Sequence, residues 1–330
     1  MPASSRITRL LERQGEELAK LQDQQARKVL VLAEQARQEL RARLAAMVAT
    51  GRDQATPYTA QHMRVVLAQS EHVVTTLRQR LDAELYAAKS ATARASVRDL
   101  LHVIRANERE FTDVGNRIEI EAVARLSQQD GLLLHRYSLD RYGAELIGKI
   151  QQQLSISLFT GDGIPQMTKR IAGTSGVFAR QTHRAELIAR MEMNRAYSDG
   201  HQAALETAAV ELDPLLPGDP MMRQANEFMD TRNHPISPVI DGLVTGINQP
   251  WLVPVAEVFA AAQRLKKATG GVLWPDVGGF YVVGGYPVHF GERGRMVPYR
   301  ASWDGGAALK GMDPAQVAKL PREVRATLAA

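Results

Sequence analysis

A single apolar stripe runs through the first fifty residues and restricts what this chain can fold into. Ile7, Leu11, Leu18, Leu21, Val29, Leu32, Ala36, Leu40, Leu44 and Met47 recur at spacings of three, four or seven to eight residues. Side chains so spaced share one face of an α-helix, and Arg, Gln and Glu cover the rest. Thr50-Gly51 supplies a stop, because glycine accepts the left-handed conformation that ends helices. A long helix with one narrow apolar face cannot stand alone in water and must find another to pack against.

The next segment offers one. Thr56-Pro57 reads as an N-cap followed by proline in the first turn. Met63, Val66, Leu67, Ser70, Val74, Leu77, Leu81 and Leu85 then form a second helical stripe. Two narrow stripes in succession predict helical hairpins or a coiled-coil-like bundle, in which a partner could replace one helix. The helical pattern continues to Phe159, with weak breaks expected at Val114-Gly115-Asn116 and Gln129-Asp130-Gly131. Thr160-Gly161-Asp162-Gly163 is the first strong punctuation. Ile164-Pro165 restarts a helix, Gly173-Thr174-Ser175-Gly176 breaks it, and a further helix is expected over 182–210.

After residue 211 the composition changes: Gly and Pro become frequent and short β-leaning runs appear at 279–283 and 287–290. The expected fold is therefore mainly α. A long helical domain occupies 1–160, a small α+β, loop-rich module 161–303, and a tail with a short helix from Asp313-Pro314 occupies 304–330. No internal repeat of fixed period is present.

Composition narrows the function classes. Aromatics are only 5% of the 330 residues, and Ala, Leu, Gln, Arg and Glu dominate the first half, as in helical proteins. The absence of cysteine excludes disulfides, thiolate metal sites and cysteine catalysis. Met1 to Lys20 is charged throughout and lacks the apolar core of a signal peptide. The most apolar stretch, 251–262, is interrupted by Pro254 and Glu257 and is too short to span a bilayer, so a soluble chain is expected. The net charge of +5 suits proximity to nucleic acid, but basic and acidic residues alternate along most helices, as on solvated faces.

Catalytic signatures are missing. There is no phosphate-binding G-x-x-x-x-G-K-[ST] loop and no H-E-x-x-H. Gly173-Thr174-Ser175-Gly176 misses a nucleophile elbow by one position and lies between helices. One polar cluster stands out: Asp230-Thr231-Arg232-Asn233-His234, with Asp241-Gly242 close behind and His289 further on. Asp230, His234, Asp241 and His289 could bind zinc or activate water. The same carboxylates and guanidinium could instead cap turns and pair with one another in a proline-rich region, where many backbone groups need partners. No tight ligand spacing favours metal, so neither a cofactor nor an enzymatic activity is expected. A second cluster, Arg184, Arg190, Glu192, Arg195 and Tyr197, lies on the 182–210 helix. Arg190 and Glu192 fall on different faces and would bridge separate neighbours.

Three segments together resemble the Mu-F-like phage head morphogenesis family, whose members are minor head proteins. The first is Ala189-Arg190-Met191-Glu192 with Gly200 shortly after. The second runs from Asp230 through Arg232 to Asp241-Gly242, the full length of that family's D-x-R-x-R-x-x-H-x-x-L-D-G stretch. The third is Pro287-Val288-His289-Phe290-Gly291-Glu292-Arg293-Gly294. Several positions depart from the pattern. Met191 stands for a threonine, His234 for the second arginine and Ser237 for the histidine. Glu292 and Gly294 replace the two cysteines of the closing motif.

The resemblance implies a low-copy structural protein inside the head of a tailed bacteriophage or prophage, acting in head morphogenesis and in DNA packaging or ejection. It would assemble in the host cytoplasm and reside in the virion. Its implied partners are the portal and major capsid proteins, with non-specific contact to packaged double-stranded DNA and no membrane. Arg190, Glu192, Gly200, Asp230, Arg232, Asp241, Gly242, His289 and Arg293 would hold helices and loops together. The alternatives are a metal-dependent hydrolase or nuclease built on Asp230, His234, Asp241 and His289, an effector carried into the host, or an internal DNA-binding scaffold.

Overall fold

The computed structural model describes residues 3–50, 60–107, 111–128, 135–160, 162, 164–226, 234–268, 272, 276–283 and 295–304. Six helices come first: α1 (Ala3–Thr50), α2 (Ala60–Asn107), α3 (Phe111–Gln128), α4 (His135–Thr160), α5 (Ile164–Ala172) and α6 (Val177–Leu212). A short 3-10 turn at Asp213–Leu215 leads into β1 (Met222–Asn226), α7 (Ser237–Ile240), β2 (Val244–Gly246), β3 (Trp251–Pro254) and α8 (Val255–Leu265). Then come β4 (Asp276–Val277), β5 (Phe280–Val283) and β6 (Arg295–Tyr299), closed by a 3-10 turn at Ala301–Asp304. The chain is mainly α, with a small, sheet-containing and loop-rich C-terminal region.

Contacts divide the chain into two compact units, each assembled from separated segments. One comprises 1–21, 89–131 and 193–330; the other comprises 22–88 and 132–192. These units are not successive along the chain, as domains 1–160 and 161–303 divided at Thr160-Gly161-Asp162-Gly163 would be. The reason is helix length: α1, α2 and α6 each supply residues to both units.

In the second unit the apolar stripes do what their spacing predicts. Val29, Ala36, Leu40 and Leu44 of α1 are buried with Val66, Val74, Leu77, Leu81 and Leu85 of α2. Tyr142, Leu146, Ile150 and Leu154 of α4, Met167 and Ile171 of α5, and Phe178 and Ala185 of α6 complete that core. Each fully buried leucine contributes about 1.5–3 kcal/mol. The seam on α1 differs from the expected stripe at one edge. Leu21 is 37% exposed, whereas Gln22, Gln25, Ala26 and Ala33 are buried, because the interface follows i, i+3 and i+4 positions whichever residue occupies them.

Two expected breaks have different outcomes. α3 ends at Gln128, next to Gln129-Asp130-Gly131, which lies outside the described residues. A break at Val114-Gly115-Asn116 is not found, since Gly115 lies inside α3. A Cβ at this position would approach Phe111 Cε1 to 2.5 Å. The glycine therefore makes room for a buried ring one turn earlier instead of ending the helix. α6 begins right after Gly176 and extends to Leu212, five residues earlier and two later than expected. The Thr56-Pro57 cap, the 287–290 run and the tail helix lie outside the described residues.

Among its described residues the first unit holds two three-stranded antiparallel sheets, ordered β2-β1-β6 and β3-β5-β4. The expected run at 279–283 is β5, paired with β3 so that Trp251 faces Val283. β1 is the central strand of its sheet, with Gln224 opposite Val244 on one side and Val297 on the other. Pro298 is accommodated because β6 is an edge strand, where a missing amide donor costs no ladder bond. The apolar stretch 251–262 is split at Pro254 into β3 and α8, since proline cannot donate to a helix but can precede one. Against these sheets pack Leu100 and Ile104 of α2, Phe111, Ile118 and Ala122 of α3, and Ala203, Ala204 and Ala208 of α6. No helix among the described residues is long and apolar enough to cross a membrane.

Candidate functional site

The first resemblance segment lies on α6. Arg190 donates to Asp23 Oδ1 at 2.6 Å and, through Nε and Nη2, to Glu186 Oε1 at 3.1 Å. Burial works against its charge, but the two carboxylates prevail and raise its pKa. Glu192 is buried, at 2% exposure. Arg190 thus reaches Asp23 on α1, while Glu186 lies one turn away on its own helix.

Gly200 follows in the first unit. A Cβ there would collide with the carbonyl oxygen of Ala93 and with Ser96, so only glycine lets α6 approach α2 so closely. A polar network flanks this crossing. Ser96 Oγ donates to the Tyr197 carbonyl, and the Tyr197 hydroxyl donates to Asp99 Oδ2 at 2.8 Å. Gln14 Nε2 donates to the Asp99 carbonyl at 2.8 Å. The buried His201 ring is tilted against Tyr197 at 4.5 Å, and its Nδ1 lies 2.8 Å from the Met296 carbonyl of β6.

The second segment is described from His234 onward. His234 Nδ1 accepts the Ile236 amide at 3.2 Å, fixing the turn into α7. The Asp241 amide donates to the Ser237 carbonyl and closes that helix. Gly242 has φ +78, a conformation that side chains resist. Its amide then donates to the Ala225 carbonyl at 2.8 Å, and the Ala225 amide donates to the Leu243 carbonyl at 2.8 Å. The segment is thereby stitched to β1. The Leu243 carbonyl also accepts Trp251 Nε1 at 3.0 Å.

Asp230, Arg232, His289 and Arg293 lie outside the described residues. Of the four candidate metal ligands, only His234 and Asp241 are described, and both take part in backbone turns. Among the described residues no group of three or more His, Asp or Glu gathers in a way that could hold a metal. A groove of about 640 Å³ lies beside the second segment, lined by Pro238, Val239, Leu243, Glu257, Ala260, Gln263 and Arg264. Its walls supply apolar surface with polar residues among them and no pairing of a nucleophile with a base.

No family model matches the chain, and neither a curated protein nor a solved structure is significantly similar to it.

Two buried arginines carry no signal in the sequence. Arg223 of β1 lies 4.3 Å over the Trp251 ring and donates to Gln202 Oε1 at 3.1 Å and to the Gln249 carbonyl at 2.7 Å. Arg300 has a fully buried side chain, pairs with Asp213 Oδ1 at 2.8 Å and donates to the Asp219 carbonyl. Asp213 Oδ1 also accepts the Met221 amide at 2.9 Å, so this ion pair ties the turn before β1 to the end of β6. The groups that receive them come from other parts of the chain, so neither could be found from spacing.

Proposed function

We propose that this chain is a minor head protein of a tailed bacteriophage or prophage, a structural component inside the capsid that associates with the portal and acts in head morphogenesis. Packaged double-stranded DNA is its non-specific partner, and the protein has no catalytic role. The order and spacing of the three resemblance segments support this reading. The observation that carries it is the bonding of Gly242 and Leu243 to both sides of Ala225, by which the described end of the second segment braces β1. Gly200 at a helix crossing and Arg190 in an ion-paired position point the same way.

A pull-down of the purified full chain with the portal protein encoded in the same genome tests this, with electron cryo-microscopy of any complex. Stoichiometric binding is expected, and removal of residues 1–50 should abolish incorporation into heads. No binding, together with zinc in the purified protein, would instead favour the hydrolase built on Asp230, His234, Asp241 and His289.

A further inference from the structure

One face of α2 carries a run of positive charge with no carboxylate one turn from its first two arginines. Arg94, Arg98, His102 and Arg105 follow one another at intervals of four, four and three residues, and all are exposed. They lie within about 80° of arc on a helix with 3.6 residues per turn. At 1.5 Å rise per residue, the ladder is about 16 Å long with rungs about 6 Å apart or less.

On other described helices several arginines are matched one turn away: Arg13 with Glu17, Arg43 with Glu39, Arg141 with Glu145, and Arg190 with Glu186. Here no acidic residue stands three or four positions from Arg94 or Arg98. Asp99 is the one carboxylate between Lys89 and Asn107, and it turns inward to accept the Tyr197 hydroxyl at 2.8 Å. Arg105 is held with its guanidinium 5.3 Å from the centre of the Phe111 ring. Glu108 comes three residues later, outside the described residues. Like charges one turn apart repel and weaken a helix, and an anion laid along the face removes that repulsion.

The make-up of the ladder narrows the anion. Its permanent charges are all arginine, whose planar fork matches phosphate oxygens better than a lysine ammonium does. Large exposed apolar side chains of the first unit, such as Ile120, Val210 and Phe259, lie on other helices. The face therefore lacks the apolar side chains with which interfacial helices enter a lipid surface. Its one aromatic ring is the His102 imidazole, whereas proteins that bind single strands stack successive bases on several rings. What remains is contact with a regular phosphate backbone, which carries no sequence information.

We propose that the Arg94–Arg98–His102–Arg105 face of α2 binds the phosphate backbone of double-stranded DNA without reading its sequence. This rests on the head-protein reading only for which DNA is met in the cell.

The test uses the full chain and a fluorescent duplex of arbitrary sequence, with binding measured by anisotropy over a series of salt concentrations. The triple variant Arg94→Gln/Arg98→Gln/Arg105→Gln should flatten the slope of log K against log salt by about 2.7, at about 0.9 for each phosphate no longer neutralised. Affinity at low salt should fall at least tenfold. Arg27→Gln/Arg41→Gln/Arg180→Gln removes the same charge from exposed positions in the other unit and should leave the slope within about one of the parent. Single Arg94→Gln and Arg98→Gln variants, each expected to lower the slope by about 0.9, keep the test valid if the triple variant does not fold. Equal losses in the two triple variants would overturn the proposal, as would the absence of duplex binding at low salt. So would equal or tighter binding, through these same arginines, to a single strand, to polyglutamate or to phosphatidylserine vesicles. Duplex binding without portal binding would keep this face and remove the head-protein reading; portal binding without duplex binding would do the reverse.

Discussion

Gly200 of α6 packs directly on the carbonyl oxygen of Ala93 of α2, with no room between them for a methyl group. The contact is to backbone, which cannot swing aside as a side chain would. Gly200→Ala should therefore cost about 1–3 kcal/mol by overpacking, despite alanine's better helix propensity. Urea denaturation of the two proteins measures this, and a stabilised variant would show that α6 and α2 do not cross so closely.

Two residues outside ordinary backbone space should respond with opposite signs. Lys266 ends α8 in the left-handed region at φ +52, with its amide capping the carbonyls of Ala262 and Gln263. Lys266→Gly should stabilise the protein by up to about 1 kcal/mol, since glycine takes that conformation without strain. Gly242→Ala should destabilise it by about 1–2 kcal/mol, because φ +78 is unfavourable to any Cβ. Shifts in melting temperature read both, and two shifts of the same sign would contradict the backbone account.

The seam of α1 can be probed by two leucines of the same helix. Leu40 is fully buried whereas Leu21 is 37% exposed. Leu40→Ala should cost about 2–5 kcal/mol through reduced burial and the cavity left behind. Leu21→Ala should cost well under half as much. Chemical denaturation of both variants would show whether the interface follows the observed seam or the broader sequence stripe.

Tyr142 couples the second unit to pH. Burial pushes its phenol up to about 12, against the opposing pull of Arg184, from an ordinary value near 10. The neutral form is favoured in the folded state, so its contribution is fully present below pH 10. It is lost as pH rises from about 10 to about 12, and the loss amounts to about 3 kcal/mol. Tyr142→Phe should flatten that part of the alkaline stability curve while leaving stability at neutral pH within about 1 kcal/mol. An unchanged alkaline slope would place the effect elsewhere.

Legibility in the sequence tracked how local the cause was. Val66, Leu77, Leu81 and Leu85 announced a helix face by spacing alone, and Gly173 to Gly176 announced a break between helices. Gly115 misled because the same residue type can end a helix or make room for a ring such as Phe111, and only packing distinguishes these uses. The strands were mostly silent: β1 and β6 are short, and their pairing joins residues from Met222 to Tyr299. Arg223 carries no local mark of burial, because the Trp251 ring and the Gln249 carbonyl that receive it come from later in the chain.

The sequence by itself determined the helices of the first two thirds, their apolar faces and the change of character after residue 211, because helix periodicity is written within a few turns of chain. Tertiary structure alone decided how the long helices are shared between two compact units and which glycines serve as close-packing points. It also decided that His234, Asp241 and Gly242 build turns against β1. Those outcomes depend on atoms brought together from distant parts of the chain, and no local pattern encodes their meeting.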